Sequence, residues 1–183
     1  MTTIVARQYA DRVEFIADSQ TTLSNGRIMR HPKMSKISER NGFIISGAGD
    51  VAPCDIAQHI WLPPKPTLSD KKDLYHFMIS KVMPSLKKCF KDNEYKLDRP
   101  ADDSDSGFDL LIAVCGEVFY VPDDCSVLMD ESGIYVLGSG SLNTSGAIKH
   151  GATIEEAMGY AVDGDAYTLA STKSPLTRLT QYK

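Results

Sequence analysis

Two short apolar runs at the start of the chain predict a β-hairpin. The first run covers residues 3–6, a turn falls at residues 9–11, and residues 12–18 return as a second strand. Asp18 ends the returning strand, so we expect its carboxylate to lie beside Thr2. A carboxylate in that position can hold a nearby lysine and keep it charged.

After this hairpin, the pattern of apolar and polar residues predicts a strand pair, two helices, a set of strands, two more helices and a final strand pair. The sequence assigns strands to residues 33–37 and 42–46, 108–115 and 118–121, and 166–171 and 176–180. It assigns helices to residues 50–60, to a segment that opens at Ser69 or Asp70 and bends near Pro84, and to residues 141–149 and 154–162. This order suits two sheets with helices on both outer faces.

Composition narrows the class of protein. The chain has 183 residues, enough for one domain with a sizeable core, and its apolar content of 42% is that of a globular protein. Its net charge of −4, without a Lys/Arg block, argues against nucleic-acid binding. The four cysteines form no C-x-x-C pair, which favours reduced thiols. Neither a signal peptide nor a membrane span is indicated, so we expect a cytoplasmic protein with no membrane partner.

Thr2 carries the candidate chemistry. If an aminopeptidase removes Met1, Thr2 presents a hydroxyl and a free α-amine on one residue, and an α-amine titrates near pH 7.7–8.0. One residue then supplies both a nucleophile and its base. The alternative is that Met1-Thr2-Thr3 only begins a β-strand, because threonine favours strands.

Three stretches near the start resemble the opening of proteasome β subunits and of the HslV-like N-terminal nucleophile (Ntn) hydrolases. They are residues 2–5 (Thr-Thr-Ile-Val), residues 16–23 (Ile-Ala-Asp-Ser-Gln-Thr-Thr-Leu) and residues 33–37 (Lys-Met-Ser-Lys-Ile). The apolar strand at residues 43–50, the Gly-Ser-Gly turn within residues 133–140 and the segment 153–172 resemble later parts of the family. Residues 61–106 show no such likeness. The resemblance implies an α+β fold, the four-layer αββα sandwich.

The resemblance also implies roles for the first site residues. Thr2 would attack the substrate carbonyl, Lys33 would lower the pKa of the Thr2 amine and hydroxyl, and Asp18 would hold Lys33 in place. Lys36 competes with Lys33, because Lys36-Ile37 has the same lysine-apolar pattern. We prefer Lys33, since Lys33-Met34-x-x-Ile37 preserves both apolar positions of the family pattern. Without the resemblance, these residues would be an ordinary surface lysine and a strand-end acid.

The remaining site residues follow from the same resemblance. Gly47 is the candidate oxyanion donor through its backbone N–H, although the run Gly47-Ala48-Gly49 permits a shift by two residues. The supporting hydroxyls and acid near the Thr2 amine map onto Ser139, Asp165 and Thr168. The chemistry requires no cofactor. A structural monovalent or Mg²⁺ cation is implied at backbone carbonyls that map onto Gly164, Tyr167 and Ala170.

Three functional hypotheses follow. The first is an N-terminal threonine peptidase that degrades unfolded polypeptides inside a self-compartmentalised homo-oligomeric ring, with an ATP-dependent unfoldase as a candidate partner. The second is a catalytically inactive structural or assembly subunit of the same fold. The third is an Ntn amidohydrolase that cleaves a small amide.

Overall fold

Two four-stranded antiparallel sheets form the centre of the protein. The computed structural model describes residues 2–23, 25–29, 34–97, 107–168 and 176–183. The strands in these ranges are β1 (Thr3–Gln8), β2 (Arg12–Ala17), β3 (Thr21–Thr22), β4 (Ile28–Met29), β5 (Ile37–Arg40), β6 (Phe43–Gly49), β7 (Phe108–Val114), β8 (Glu117–Pro122), β9 (Ile134–Gly138) and β10 (Thr177–Tyr182). The first sheet has the order β10-β2-β1-β9 and the second has the order β5-β6-β7-β8, while β3 and β4 form a separate two-stranded ladder.

Helical segments connect and cover the sheets. They are α1 (Val51–Asp55), continued by a π-helical turn (Ile56–Ile60), a 3₁₀ turn (Asp70–Lys72), α2 (Leu74–Phe77), a second π-helical turn (Met78–Val82), α3 (Met83–Asp92), α4 (Ser141–Lys149) and α5 (Ile154–Gly164). The first helix ends before Trp61, where a run with three prolines cannot continue it. The start of α5 has a capping box, in which Thr153 Oγ1 accepts from the Glu156 N–H and the Glu156 carboxylate accepts from the Thr153 N–H. Within the described ranges, no helix is long and apolar enough to cross a membrane.

Alternation along the strands sorts the apolar side chains into three packed layers. In the first sheet, Ile4 points into the space between the sheets, whereas Val5 packs against α4 and α5. In the second sheet, Ile44 faces the first sheet, whereas Ile45 packs against the helices α1 to α3. Each side chain buried in this way contributes about 1.5–3 kcal/mol. The result is the α+β, four-layer αββα arrangement that the sequence predicted.

Several element boundaries differ from the prediction for local reasons. The second helix begins at Leu74, because the Asp73 carboxylate accepts from the His76 N–H at 2.9 Å and acts as the N-cap. A π-helical turn, Met78–Val82, takes the place of a bend at Pro84. A proline ring crowds the carbonyl four residues earlier, and the wider turn accommodates it.

The strand predicted at residues 166–171 is wrong where the structure describes it. Ala166 and Tyr167 form a turn, because the Asp165 carboxylate accepts from the Tyr167 N–H at 3.1 Å. Such a local side-chain bond competes with strand formation. Residues 169–171 lie outside the described residues. The strand predicted at residues 33–37 starts only at Ile37 in the structure, and residue 33 likewise lies outside the described ranges.

Candidate active site

Thr2 lies directly before the central strand of the first sheet. Since β1 pairs with β2 on one edge and β9 on the other, the backbone at its start is held from both sides. The Thr2 carbonyl accepts a hydrogen bond of 2.9 Å from the Ser139 N–H, and the residue is only 5% exposed. The hydroxyl of Thr2 is therefore carried by a fixed part of the fold.

Gly138 makes this placement of Thr2 sterically feasible. It ends β9 opposite Thr3 and has a positive φ of 89°. A Cβ atom at this position would lie 1.8 Å from the Thr2 carbonyl oxygen. Only glycine tolerates both the backbone conformation and the close approach.

Asp18 and Lys36 converge on the Thr2 hydroxyl. Thr2 Oγ1 donates to Asp18 Oδ1, and Lys36 Nζ donates to Thr2 Oγ1. Lys36 Nζ also pairs with Asp18 Oδ1 at 2.7 Å and donates to the Gln20 carbonyl, so its three N–H groups are all used. Asp18 is fully buried and accepts further hydrogen bonds from the backbone N–H groups of Thr3, at 3.0 Å, and Gln20, at 2.9 Å. These contacts fix the carboxylate and the ammonium against one hydroxyl oxygen.

Burial changes the acidity of the lysine in this cluster. Removal from water lowers the pKa of the Lys36 amine below its usual value, and the Asp18 carboxylate counteracts part of that effect. Lys36 therefore gives up a proton more readily than a surface lysine does. In its charged form it also stabilises negative charge that develops on Thr2 Oγ1.

Among the residues that the structure describes, the lysine that contacts Thr2 is Lys36, the alternative that the sequence left open. Lys33, the residue preferred from the apolar pattern, lies outside the described residues. Lys36 precedes the first residue of β5, and the side chain of that residue, Ile37, is buried between the sheets. The pairing of β5 with β6 therefore sets the position of Lys36.

Ser139, Asp165 and Thr168 form a second polar cluster beside Thr2. Ser139 Oγ and Thr168 Oγ1 each donate to Asp165 Oδ2 at 2.6 Å. The Thr168 hydroxyl also contacts the Thr3 hydroxyl, and Ser139 Oγ lies 3.4 Å from the Thr2 carbonyl oxygen. Burial by itself would raise the pKa of Asp165, but favourable contacts, including hydrogen bonds from Ser139, Thr168 and the Tyr167 N–H, together lower the pKa below its usual value. The structure thus brings together the three residues that the resemblance assigned to this role.

Gly47 and Thr2 line one cavity of about 260 Å³, which Lys36 also lines. The pairing of β5 with β6 stops at Ile37 and Ser46, so Gly47 lies one residue beyond that ladder. A Cβ atom at Gly47 would lie 2.6 Å from the Cys54 sulfur, so no larger residue fits there.

Gly49, the alternative oxyanion donor, also lines the cavity. Its φ of 99° is positive, and a Cβ atom there would lie 2.2 Å from the Gly107 carbonyl oxygen. Gly49 is therefore required by its backbone conformation and Gly47 by its contact with the Cys54 side chain, and both remain candidate donors.

Sequence reasoning missed three residues at this site. Gln20 lies within residues 16–23, but the sequence assigned it no role. In the structure its carbonyl oxygen accepts a hydrogen bond from Lys36 Nζ. Gln58 and Cys54 line the cavity from the first helix and its π-helical continuation. Burial raises the pKa of the Cys54 thiol to about 12, so this sulfur is a poor nucleophile at neutral pH. The burial of Gln58 is visible only in the structure, so the sequence carries no specific signal for these three residues.

The proposed cation site is described only in part. Gly164 ends α5, Tyr167 lies in the turn that follows, and Ala170 is outside the described residues. Among the described residues, no group of three or more His, Cys, Asp or Glu side chains could hold a metal ion. A site built from backbone carbonyls at these three positions stays a prediction.

Solved structures match this chain over nearly its whole length, although no family model and no curated protein matches the sequence. BPH from Thiobacillus denitrificans, in a complex with epoxomicin, has a TM-score of 0.71 and 18% identity, with 98% of each chain covered. Eukaryotic HslV from Trypanosoma brucei has a TM-score of 0.63 and 17% identity, with 99% of each chain covered. Anbu, an ancestral beta-subunit from Yersinia bercovieri, has a TM-score of 0.67 and 12% identity, covering 98% of this chain and 81% of the Anbu chain.

These likenesses define the class of protein by its fold. The chain shares the fold of BPH, HslV and Anbu, and this is the proteasome-like fold that the sequence motifs implied. At identities of 12–18% the likeness is one of fold alone, so the chemistry has to be argued from the site.

Proposed function

We propose that this chain is an N-terminal threonine peptidase that cleaves unfolded polypeptides. The observation that carries the proposal is the convergence of Lys36 and Asp18 on the hydroxyl of Thr2, a residue that lines one cavity with Lys36 and Gly47. Burying the two charges of an ion pair costs free energy. A threonine that only begins a strand gives no reason to bear that cost, whereas a nucleophile does.

The reaction requires that an aminopeptidase has already removed Met1, which frees the α-amine of Thr2. That amine, through a water molecule, takes the proton of Thr2 Oγ1 while the oxygen attacks the scissile carbonyl carbon. The resulting oxyanion accepts a hydrogen bond from the Gly47 N–H. The C–N bond then breaks, the leaving amine takes the proton, and an ester to Thr2 Oγ1 remains. Water then attacks the ester, with the α-amine of Thr2 as the base. This step releases the carboxylic acid product and restores the Thr2 hydroxyl.

The two polar clusters, one around Asp18 and one around Asp165, have different roles in the proposed reaction. The Lys36 ammonium lowers the pKa of the Thr2 hydroxyl and amine, because a nearby cation disfavours a second positive charge and favours an alkoxide. Asp18 holds Lys36 in place at 2.7 Å. The Asp165 cluster orients the Thr2 backbone through Ser139 and restrains Thr3 through Thr168.

We further propose that the active site works inside a homo-oligomeric ring, with an ATP-dependent unfoldase as the candidate partner. The likeness in fold to HslV and to Anbu, a protein described as a beta-subunit, supports an assembly. Confinement would limit access to chains that have already been unfolded.

The first test compares Thr2→Ala with wild type. We expect the intact mass of the wild-type protein to lack methionine and the protein to cleave a fluorescently labelled unfolded polypeptide. Thr2→Ala should lower kcat by at least about 10³-fold, because it removes the nucleophile. Thr180→Ala, at an exposed position on β10, is the matched control and should cleave at the wild-type rate. Epoxomicin, present in the BPH structure, is a probe for a covalent adduct on the Thr2 peptide.

The other outcomes identify the alternatives. Unchanged cleavage by Thr2→Ala would contradict the proposal. Retained Met1 together with no cleavage would indicate a non-catalytic subunit, since an amide nitrogen is no base. Cleavage of small amides only would indicate an amidohydrolase.

A further inference from the structure

Gln58 is a buried polar residue to which the proposed mechanism gives no role. It lies in the π-helical turn Ile56–Ile60 that continues α1 and is only 3% exposed, yet it lines the cavity next to Thr2. A π-helical turn is rare and occurs often at functional sites. Ser38 Oγ donates to the Gln58 backbone carbonyl at 2.9 Å and anchors the turn to β5.

The Gln58 amide bridges the two halves of the site. In the orientation that satisfies both neighbours, its nitrogen donates to the Ser35 carbonyl at 3.2 Å and its oxygen accepts from the Gly47 N–H at 3.2 Å. Ser35 directly precedes Lys36. One side chain therefore ties the segment that carries the lysine to the backbone group that would bind the oxyanion.

The bond to Gly47 is of the kind that a substrate can replace. At 3.2 Å it is longer than the usual 2.9–3.0 Å for an N–H donor, and its acceptor is neutral. Hydrogen bonds to a charged oxygen are about twice as strong. A developing oxyanion can therefore take over the Gly47 N–H, while the bond to Ser35 keeps the Gln58 amide in place.

We propose that Gln58 is a positioning residue for this reaction. Before substrate binds, Gln58 holds the Gly47 N–H and fixes that group relative to Lys36. The inference rests on the proposed function, because it treats Gly47 as the oxyanion donor. It also gives the π-helical turn a purpose, since that turn is the segment of backbone that carries the Gln58 side chain between Ser35 and Gly47.

The test measures amide hydrogen exchange as well as turnover. Gln58→Met keeps the length of the side chain but neither donates nor accepts strongly. Because Gly47 lines the cavity, water should reach its N–H in this variant, and the peptide spanning residues 43–49 should gain one fast-exchanging amide. We expect kcat to fall about tenfold and KM to stay within about twofold, as expected for a misaligned transition-state donor. Ile60→Ser, at an exposed position on the same turn, is the matched control and should change neither.

A second variant keeps the test decisive if Gln58→Met does not fold. In Gln58→Glu the carboxylate can still accept from Gly47 but cannot donate to Ser35. The peptide spanning residues 43–49 should then exchange as in wild type. An additional fast-exchanging amide in this variant would overturn the proposal.

Two results with Gln58→Met would also overturn it. The first is unchanged exchange with unchanged kcat, and the second is a rise in kcat, which would make Gln58 a competitor of the oxyanion. If the wild-type protein cleaves nothing when Thr2 is its first residue, the proposed function fails. The exchange measurement still decides whether Gln58 holds Gly47.

Discussion

At the scale of single residues, the ion pair of Asp18 and Lys36 determines what Thr2 can do. The Lys36 side chain is 11% exposed and that of Asp18 is fully buried, so water screens little of their charge. An isolated buried charge is unfavourable, but here each group has several hydrogen-bond partners. The pair therefore provides a strong, fixed field at one hydroxyl oxygen.

Substitution of each lysine identifies the one that acts. Lys36→Met should lower kcat by about 10²-fold or more, because the charge that stabilises the alkoxide is lost. It should also destabilise the fold by about 3 kcal/mol, because Asp18 stays buried without its cation. Lys33→Met should cleave at nearly the wild-type rate. The measurements are peptide turnover and denaturant unfolding of both variants.

The double variant Asp18→Asn with Lys36→Met is the control for this prediction. Removing both charges should restore most of the stability while the activity stays low, because the unpaired charge is gone but so is the field. Loss of activity in Lys33→Met with full activity in Lys36→Met would contradict the assignment to Lys36.

The sequence predicted that Asp18 lies beside Thr2 but not the geometry that selects the lysine. Asp18 could be placed because a hairpin returns its second strand to the start of the first. Lys33 and Lys36 both precede an apolar residue, and local spacing cannot tell them apart. The choice depends on which residue begins β5 opposite Ser46, a long-range pairing that no local pattern encodes.

At the scale of elements, close contacts at two glycines hold the site together. β1 and β9 meet where Gly138 passes the Thr2 carbonyl, and β6 meets the first helix where Gly47 passes Cys54. In both places a glycine permits a distance that no other residue allows. These contacts connect the first sheet, the second sheet and the helical layer to one cavity.

A pair of glycine variants tests this view. Gly138→Ala should destabilise the fold by at least about 1–2 kcal/mol, because the residue has a positive φ, and the clash with Thr2 should lower activity further. Gly146→Ala is the matched control, because Gly146 lies within α4 with no atom near its added Cβ. It should stabilise the protein by about 0.5–1 kcal/mol. Thermal unfolding and peptide turnover measure both, and equal effects of the two variants would contradict the argument.

Element types were largely predictable, whereas segments governed by side-chain caps were not. Most strands and helices follow from apolar periodicity, because each has one face in a packed layer. The turn after α5 was missed, since Asp165 binds the backbone at Tyr167 and interrupts the β-like apolar pattern. The π-helical turn that carries Gln58 has no recognisable local signature.

At the scale of the whole molecule, the fold places its candidate nucleophile at the edge of a cavity between two sheets. A peptidase with such a site would have to keep it apart from the folded proteins around it. An oligomeric ring would close it off, which is the physical reason to expect one. Anbu, which has a similar fold, is described as a beta-subunit, and this description agrees with the expectation.

Light scattering of the purified protein tests the ring. We expect a particle whose mass is a multiple of 20.1 kDa, at least several-fold, that does not change with protein concentration in the micromolar range. Thr2→Ala should give the same mass, because Thr2 is only 5% exposed and lines a cavity of its own chain. A stable monomer at all concentrations would contradict the ring while leaving the Thr2 chemistry to be tested separately.

The position of Thr2 at the head of a central strand also decides how the protein should be produced. Any affinity tag fused upstream would leave a peptide bond in place of the free amine, unless a processing protease released Thr2 without a scar. A tag after Lys183 leaves the Thr2 amine untouched. The fold should tolerate a tag there, because β10 is an edge strand and both Tyr182 and Lys183 are exposed. Preparations that differ only in the end that carries the tag should therefore differ in activity, and an inactive recombinant sample says nothing until its first residue is known.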